Sequence, residues 1–87
     1  MTQLVTEDMD KLRHMVGATK HVPKKNHGYR NHYAAGSLDQ FESMERLVKA
    51  GFAFKGRKSG DLIFYHATRN GCIALGLSAS ATENVFS

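Results

Sequence analysis

The chain has 87 residues, a formal net charge of +4 and an apolar fraction of 41%, with five Phe, three Tyr and one cysteine. At this length folding removes only roughly 60% of the surface the unfolded chain exposes, so one modest core is expected, and the aromatic content argues against disorder. A lone Cys72 excludes an internal disulfide framework, and the longest unbroken apolar run, Leu62 to Tyr65, is far too short to span a membrane.

Reading along the chain, residues 1–10 carry Glu7, Asp8 and Asp10 and no apolar segment of the signal-peptide kind. A reducing, cytoplasmic setting without membrane association is therefore expected. Met9, Leu12, Met15 and Val16 recur at helical spacing. Thr6 is placed to cap, and Glu7 and Asp8 suit a first turn, which predicts a helix over residues 6–16 that Gly17 stops.

From Ala18 to Gly36 the pattern dissolves into Lys, His, Asn and Tyr around Pro23, a long connection expected to hide a short helical turn between Tyr29 and Ala35. Ser37 and Gln40 have capping-box spacing, and Leu38, Phe41, Met44, Leu47 and Val48 form one apolar stripe. The second helix is thus predicted over residues 38–50, with Gly51 as its stop.

Phe52 to Lys55 and Leu62 to Ala67 read as the strands of a β-hairpin whose loop, Gly56 to Asp61, is basic at its tip. The second strand is apolar on both faces, Leu62 and Phe64 on one and Ile63 and Tyr65 on the other. Either the first helix covers the second face or it is left as a partner surface. Thr68 caps a short helix closed by Gly76, and residues 78–87 are expected to be a flexible tail. The result is a single α+β domain over residues 1–77, ordered helix, basic loop, helix, hairpin, short helix.

The run from Met44 through Gly51, Phe52 to Lys55, Gly56 to Asp61 and Leu62 to Gly71 resembles the helix, strand, wing and strand of winged-helix domains. Tyr29-Arg-Asn-His-Tyr33 upstream and Tyr65-His-Ala-Thr68 downstream also resemble small uncharacterised proteins of phages and prophages. The resemblance implies that the helix over 38–50 stands where a recognition helix would, with Arg57 and Lys58 in the wing. Asp39, Glu42 and Glu45 on that helix would be repelled by a DNA groove.

Two basic clusters are the candidate sites. Lys20, Lys24, Lys25, Tyr29 and Arg30, with His21, His27, His32 and Tyr33 between them, could hold phosphates and stack bases, and Arg57 and Lys58 could do so from the hairpin. These residues point to a non-catalytic, phage-type nucleic-acid-binding domain. The alternative is a module that binds a host or phage protein through Asp39, Glu42 and Glu45 or through an apolar sheet face.

The five His and Cys72 show no metal-ligand spacing, and His32 and His66 are expected to be partly buried and hydrogen-bonded to Tyr or backbone groups. Cys72, beside Ile73 and Ala74, reads as a core residue. With no acid/base carboxylate pair and no phosphate-cradling glycine loop, neither enzyme activity nor a cofactor is implied. Phe41, Met44, Leu47, Phe52, Phe54, Ile63 and Tyr65 are the expected core between helix and hairpin.

Overall fold

The computed structural model describes residues 4–20, 22–23, 26–28 and 30–86. Helix α1 runs Thr6–Val16, with Leu12, Met15 and Val16 on its buried stripe and Gly17 in the left-handed conformation at its end. Its N-cap is Val5 and not Thr6. Valine has no side-chain acceptor, so only the reciprocal bond forms, from the Val5 N–H to Asp8 Oδ2 at 3.2 Å.

Helix α2 runs Leu38–Lys49 and carries the full reciprocal cap. Gln40 N–H donates to Ser37 Oγ at 3.3 Å, and Ser37 N–H donates to Gln40 Oε1 at 3.2 Å. Three antiparallel strands follow the order β1-β3-β2, where β1 is Tyr33–Ala35, β2 is Ala53–Ser59 and β3 is Leu62–Ala67.

Two sequence expectations change here. The segment 29–35 ends in a strand and not in a helical turn, because Tyr33 and Ala35 pair with Tyr65 and Ile63 across β3; three residues are too few to display a period of two. The hairpin loop shrinks to Gly60 and Asp61, so Gly56 to Ser59 are strand. Gly60, at φ 60°, supplies the positive dihedral that a two-residue hairpin turn needs. Charged residues are tolerated because β2 is an edge strand.

Helix α3, Arg69–Ala74, starts as expected at Thr68, whose Oγ1 accepts from Gly71 N–H at 3.1 Å. Residues 79–85, expected to lie in a loose tail, form a further helix, α4. Ser78 caps it through Ala81 N–H, Ala81 and Val85 are buried, and Arg69 pairs with Glu83 at 2.8 Å. Two apolar positions four apart were too sparse a signal among Ser, Ala and Thr.

Both long helices lie on one face of the sheet. Leu12, Met15 and Val16 from α1, Met44 and Leu47 from α2, and Ala35, Ala53, Tyr65 and Ala67 from the strands make the core, with Cys72 closing it. Phe41, Phe52 and Ile63 pack against that core, but Phe54 does not belong to it. The radius of gyration, 12.1 Å, matches the value of about 12 Å expected for a compact globule of this length. Among the described residues no helix is long and apolar enough to cross a membrane.

Candidate functional site

Strand alternation divides β3 between two environments. Ile63, Tyr65 and Ala67 face the helices, whereas Leu62, Phe64 and His66 face the other way, where among the described residues no helix covers the sheet. The sequence left open whether α1 would cover this second face. It does not, because α1 and α2 both pack on the first. Phe54, paired with His66, is 48% exposed there, and Leu62 is 40% exposed.

A β-bulge sets the chemistry of this open face. Lys55 pairs with Tyr65 and Lys58 with Ile63, so two residues of β2, Gly56 and Arg57, oppose Phe64 alone. The extra residue turns Arg57 onto the open face, where its guanidinium carbon lies 5.9 Å from the centroid of the Phe64 ring. Gly56 leaves room for the His66 imidazole, since a Cβ at residue 56 would collide with the ring atoms Nε2 and Cδ2.

His66 is fixed from its other side. Its Nδ1 lies 2.7 Å from the Asn31 carbonyl oxygen, and because a carbonyl only accepts, Nδ1 carries the proton and donates. Asn31 is itself stitched to β3: its Nδ2 donates to the Ala67 carbonyl at 3.3 Å, and Ala67 N–H donates to its Oδ1 at 2.7 Å. The Phe54 ring then sits 5.2 Å from the His66 ring, tilted by 38°. The face therefore presents Phe54, His66, Phe64 and Arg57 on a braced backbone.

Most of the acids lie on the helix side of the molecule. Six of the eight acids sit on α1 and α2, one on α4, and Asp61, in the turn, is the one acid of the hairpin. On α2, Asp39 and Glu42 are exposed. Glu45 is engaged, accepting from Tyr65 Oη–H at 2.9 Å and pairing with Lys55 Nζ at 3.6 Å. Burial, and then that hydrogen bond to a carboxylate, push the Tyr65 hydroxyl up to about 12. Arg57 and Lys58 remain exposed.

Among the described residues, the cations of the two basic clusters expected from the sequence stand apart. Arg30 precedes β1, at one edge of the sheet, with its Nε donating to the His14 carbonyl at 2.9 Å, while Arg57 and Lys58 lie on β2, the other edge. Asn31 meets Ala67 and Lys58 meets Ile63, a separation of four residues or roughly 13 Å along β3. Lys20 is exposed beyond the end of α1. Lys24, Lys25, Tyr29 and His21 lie outside the described residues.

Of the other candidates, His32 is exposed, contrary to the expectation of partial burial, and its N–H rather than its ring is what holds it, donating to the Met15 carbonyl at 3.0 Å. Cys72 is fully buried and its thiol is pushed up by that burial, so it sits in the core as expected. Among the described residues no three His, Cys, Asp or Glu side chains come together as a metal site would require.

Comparison with protein-family models, curated proteins and solved structures finds no match to this chain. The reading of function therefore rests on the geometry. Sequence reasoning named Arg57 and Lys58 but missed Phe54, Phe64 and His66, which share the open face with Arg57. The signal was present in the doubly apolar second strand, yet only the register shows which aromatics share a face with Arg57.

Proposed function

We propose that this chain is a small, non-catalytic, phage-type nucleic-acid-binding domain whose contact surface is the open face of the sheet, with Arg57 meeting phosphates from that face and Lys58, paired with Ile63 on the helix side of the same strand, meeting them from the exposed edge. The reading keeps the winged-helix-like role of the hairpin and drops the recognition role of α2, whose exposed Asp39 and Glu42 would oppose a polyanion. One observation carries it. The bulge sets Arg57 over the half-buried Phe64 ring on the face that also carries the exposed Phe54, while six of the eight acids belong to the two long helices on the other side.

The basic loop takes a secondary part, since Arg30 precedes β1, at the opposite edge of the sheet from Arg57. It would be reached only by a ligand long enough to cross the sheet. A protein partner on α2 is less well supported, because Glu45 is already engaged by Tyr65 and Lys55.

Titration of labelled oligonucleotides at several salt concentrations tests the proposal. Affinity is expected to fall as salt rises, and the double variant Arg57→Ala, Lys58→Ala is expected to flatten the log–log slope by about one to two units. Absence of salt-dependent binding at low ionic strength overturns it.

A further inference from the structure

We infer that the nucleic acid this face takes is single-stranded, with a base stacked on the Phe54 ring beside His66 and a second held near Phe64 and Arg57. The inference rests on the nucleic-acid reading above and specifies its ligand. A duplex offers its outer phosphates and groove edges but keeps its bases stacked, so away from its two ends it has no π-surface to place on an exposed phenyl ring. Unpaired bases have both faces free and stack on aromatic side chains with little regard to sequence.

The geometry suits that ligand in three respects. Phe54 is about half exposed, and the ring beside it, His66, is held at a fixed tilt by Asn31 on one side and by the absent side chain of Gly56 on the other. Arg57, which lies over the Phe64 ring of this face, can stack on a neighbouring base or reach a phosphate. The helical element that a duplex groove would require, α2, lies on the opposite side of the sheet and presents Asp39 and Glu42. Rings and cation are thus together where a flexible strand could lie, and the acids of α1 and α2 are away from it.

The test compares fluorescence anisotropy of labelled oligo-dT and oligo-U with that of a blunt duplex of the same length, for the natural chain, Phe54→Ala and Arg57→Ala. Both single strands are expected to bind at least tenfold more tightly than the duplex, and Phe54→Ala is expected to weaken them by roughly tenfold or more while leaving the duplex unchanged. Phe54 is outside the core, and an unchanged Tm will show that the variant is folded.

If single strands and duplex bind alike, Phe54→Ala changes neither, and Arg57→Ala weakens both, stacking is overturned but phosphate contact stands. If no oligonucleotide binds, the broader reading fails with it. Loss of a dimer in Phe54→Ala, without any oligonucleotide binding, would assign the face to a second copy of the chain and overturn both. A preference for oligo-U over oligo-dT, or the reverse, would identify RNA or DNA as the source of the strand and support the inference in either case.

Discussion

Arg46 forks onto Asp8, Nε to Oδ2 at 2.7 Å and Nη2 to Oδ1 at 2.8 Å, and so ties α2 to α1 through a carboxylate with no solvent exposure. Ser43 Oγ–H and Val5 N–H add two more donors. The Arg46 bonds, with these helpers, outweigh the cost of burial and hold the Asp8 carboxyl at about 2, below its ordinary 3.8. Because the folded value lies below the unfolded one, this stabilisation is complete above pH of about 4 and is lost as pH falls through about 2. Urea unfolding between those limits is expected to show the decline, and Asp8→Asn to be less stable at neutral pH and to have a shallower acid limb. Arg46→Ala, which leaves the buried Asp8 carboxylate without its cation, is expected to lower the urea midpoint at neutral pH. An acid limb unchanged in Asp8→Asn would mean that another group governs it.

At the other end of the scale, Tyr65 is buried against Glu45 and its hydroxyl is raised to about 12. Here the folded value lies above the unfolded one, so the contribution is intact below pH of about 10 and disappears as pH climbs through about 12. Spectrophotometric titration is expected to find one of the three tyrosines ionising only with alkaline unfolding. Tyr65→Phe should remove that step; its survival would place the late-titrating hydroxyl elsewhere.

Gly71 offers a test of packing against propensity. An alanine inside a helix is ordinarily more stable than glycine by about 0.5–1 kcal/mol. In α3, however, a Cβ at this position would run into the carbonyl oxygen of Phe52, which is already pinned by Thr68 N–H at 3.0 Å. Gly71→Ala is therefore expected to destabilise by about 1–3 kcal/mol, lowering Tm by several degrees. An unchanged or higher Tm would mean that the β2 entry and α3 are less closely held than their geometry indicates.

Cys72, on the buried side of α3 with its thiol pushed up, is expected to resist thiol reagents in the native state and to react at the rate of global or local opening. Reaction within seconds under native conditions would contradict its place in the core.

Much of the frame could be read from residues alone, where strong local signals coincide. Ser37, Gln40 and Gly51 bound α2 unaided, and Gly17 and Thr68 mark the end of α1 and the start of α3. What was hidden depends on partners distant in sequence. Asp8 looks like a first-turn acid, yet it stands four and seven residues before Leu12 and Met15 on the buried stripe, and only Ser43 and Arg46 of α2 make that place habitable for a charge. β1 is too short to show alternation and exists because β3 has an open edge. The bulge is the least legible feature of all, since a one-residue slip between Lys55 and Lys58 decides that Arg57 joins Phe64 and that Phe54 leaves the core.

The most direct measurement of the central claim is a map of backbone amide shifts in the ¹⁵N-labelled chain as an oligo-dT strand is added. The account expects the largest changes at residues 54–58 and 64–66, with Asp39, Glu42 and the rest of the outer surface of α2 unmoved. Changes concentrated on α2, or no change at low ionic strength, would contradict it.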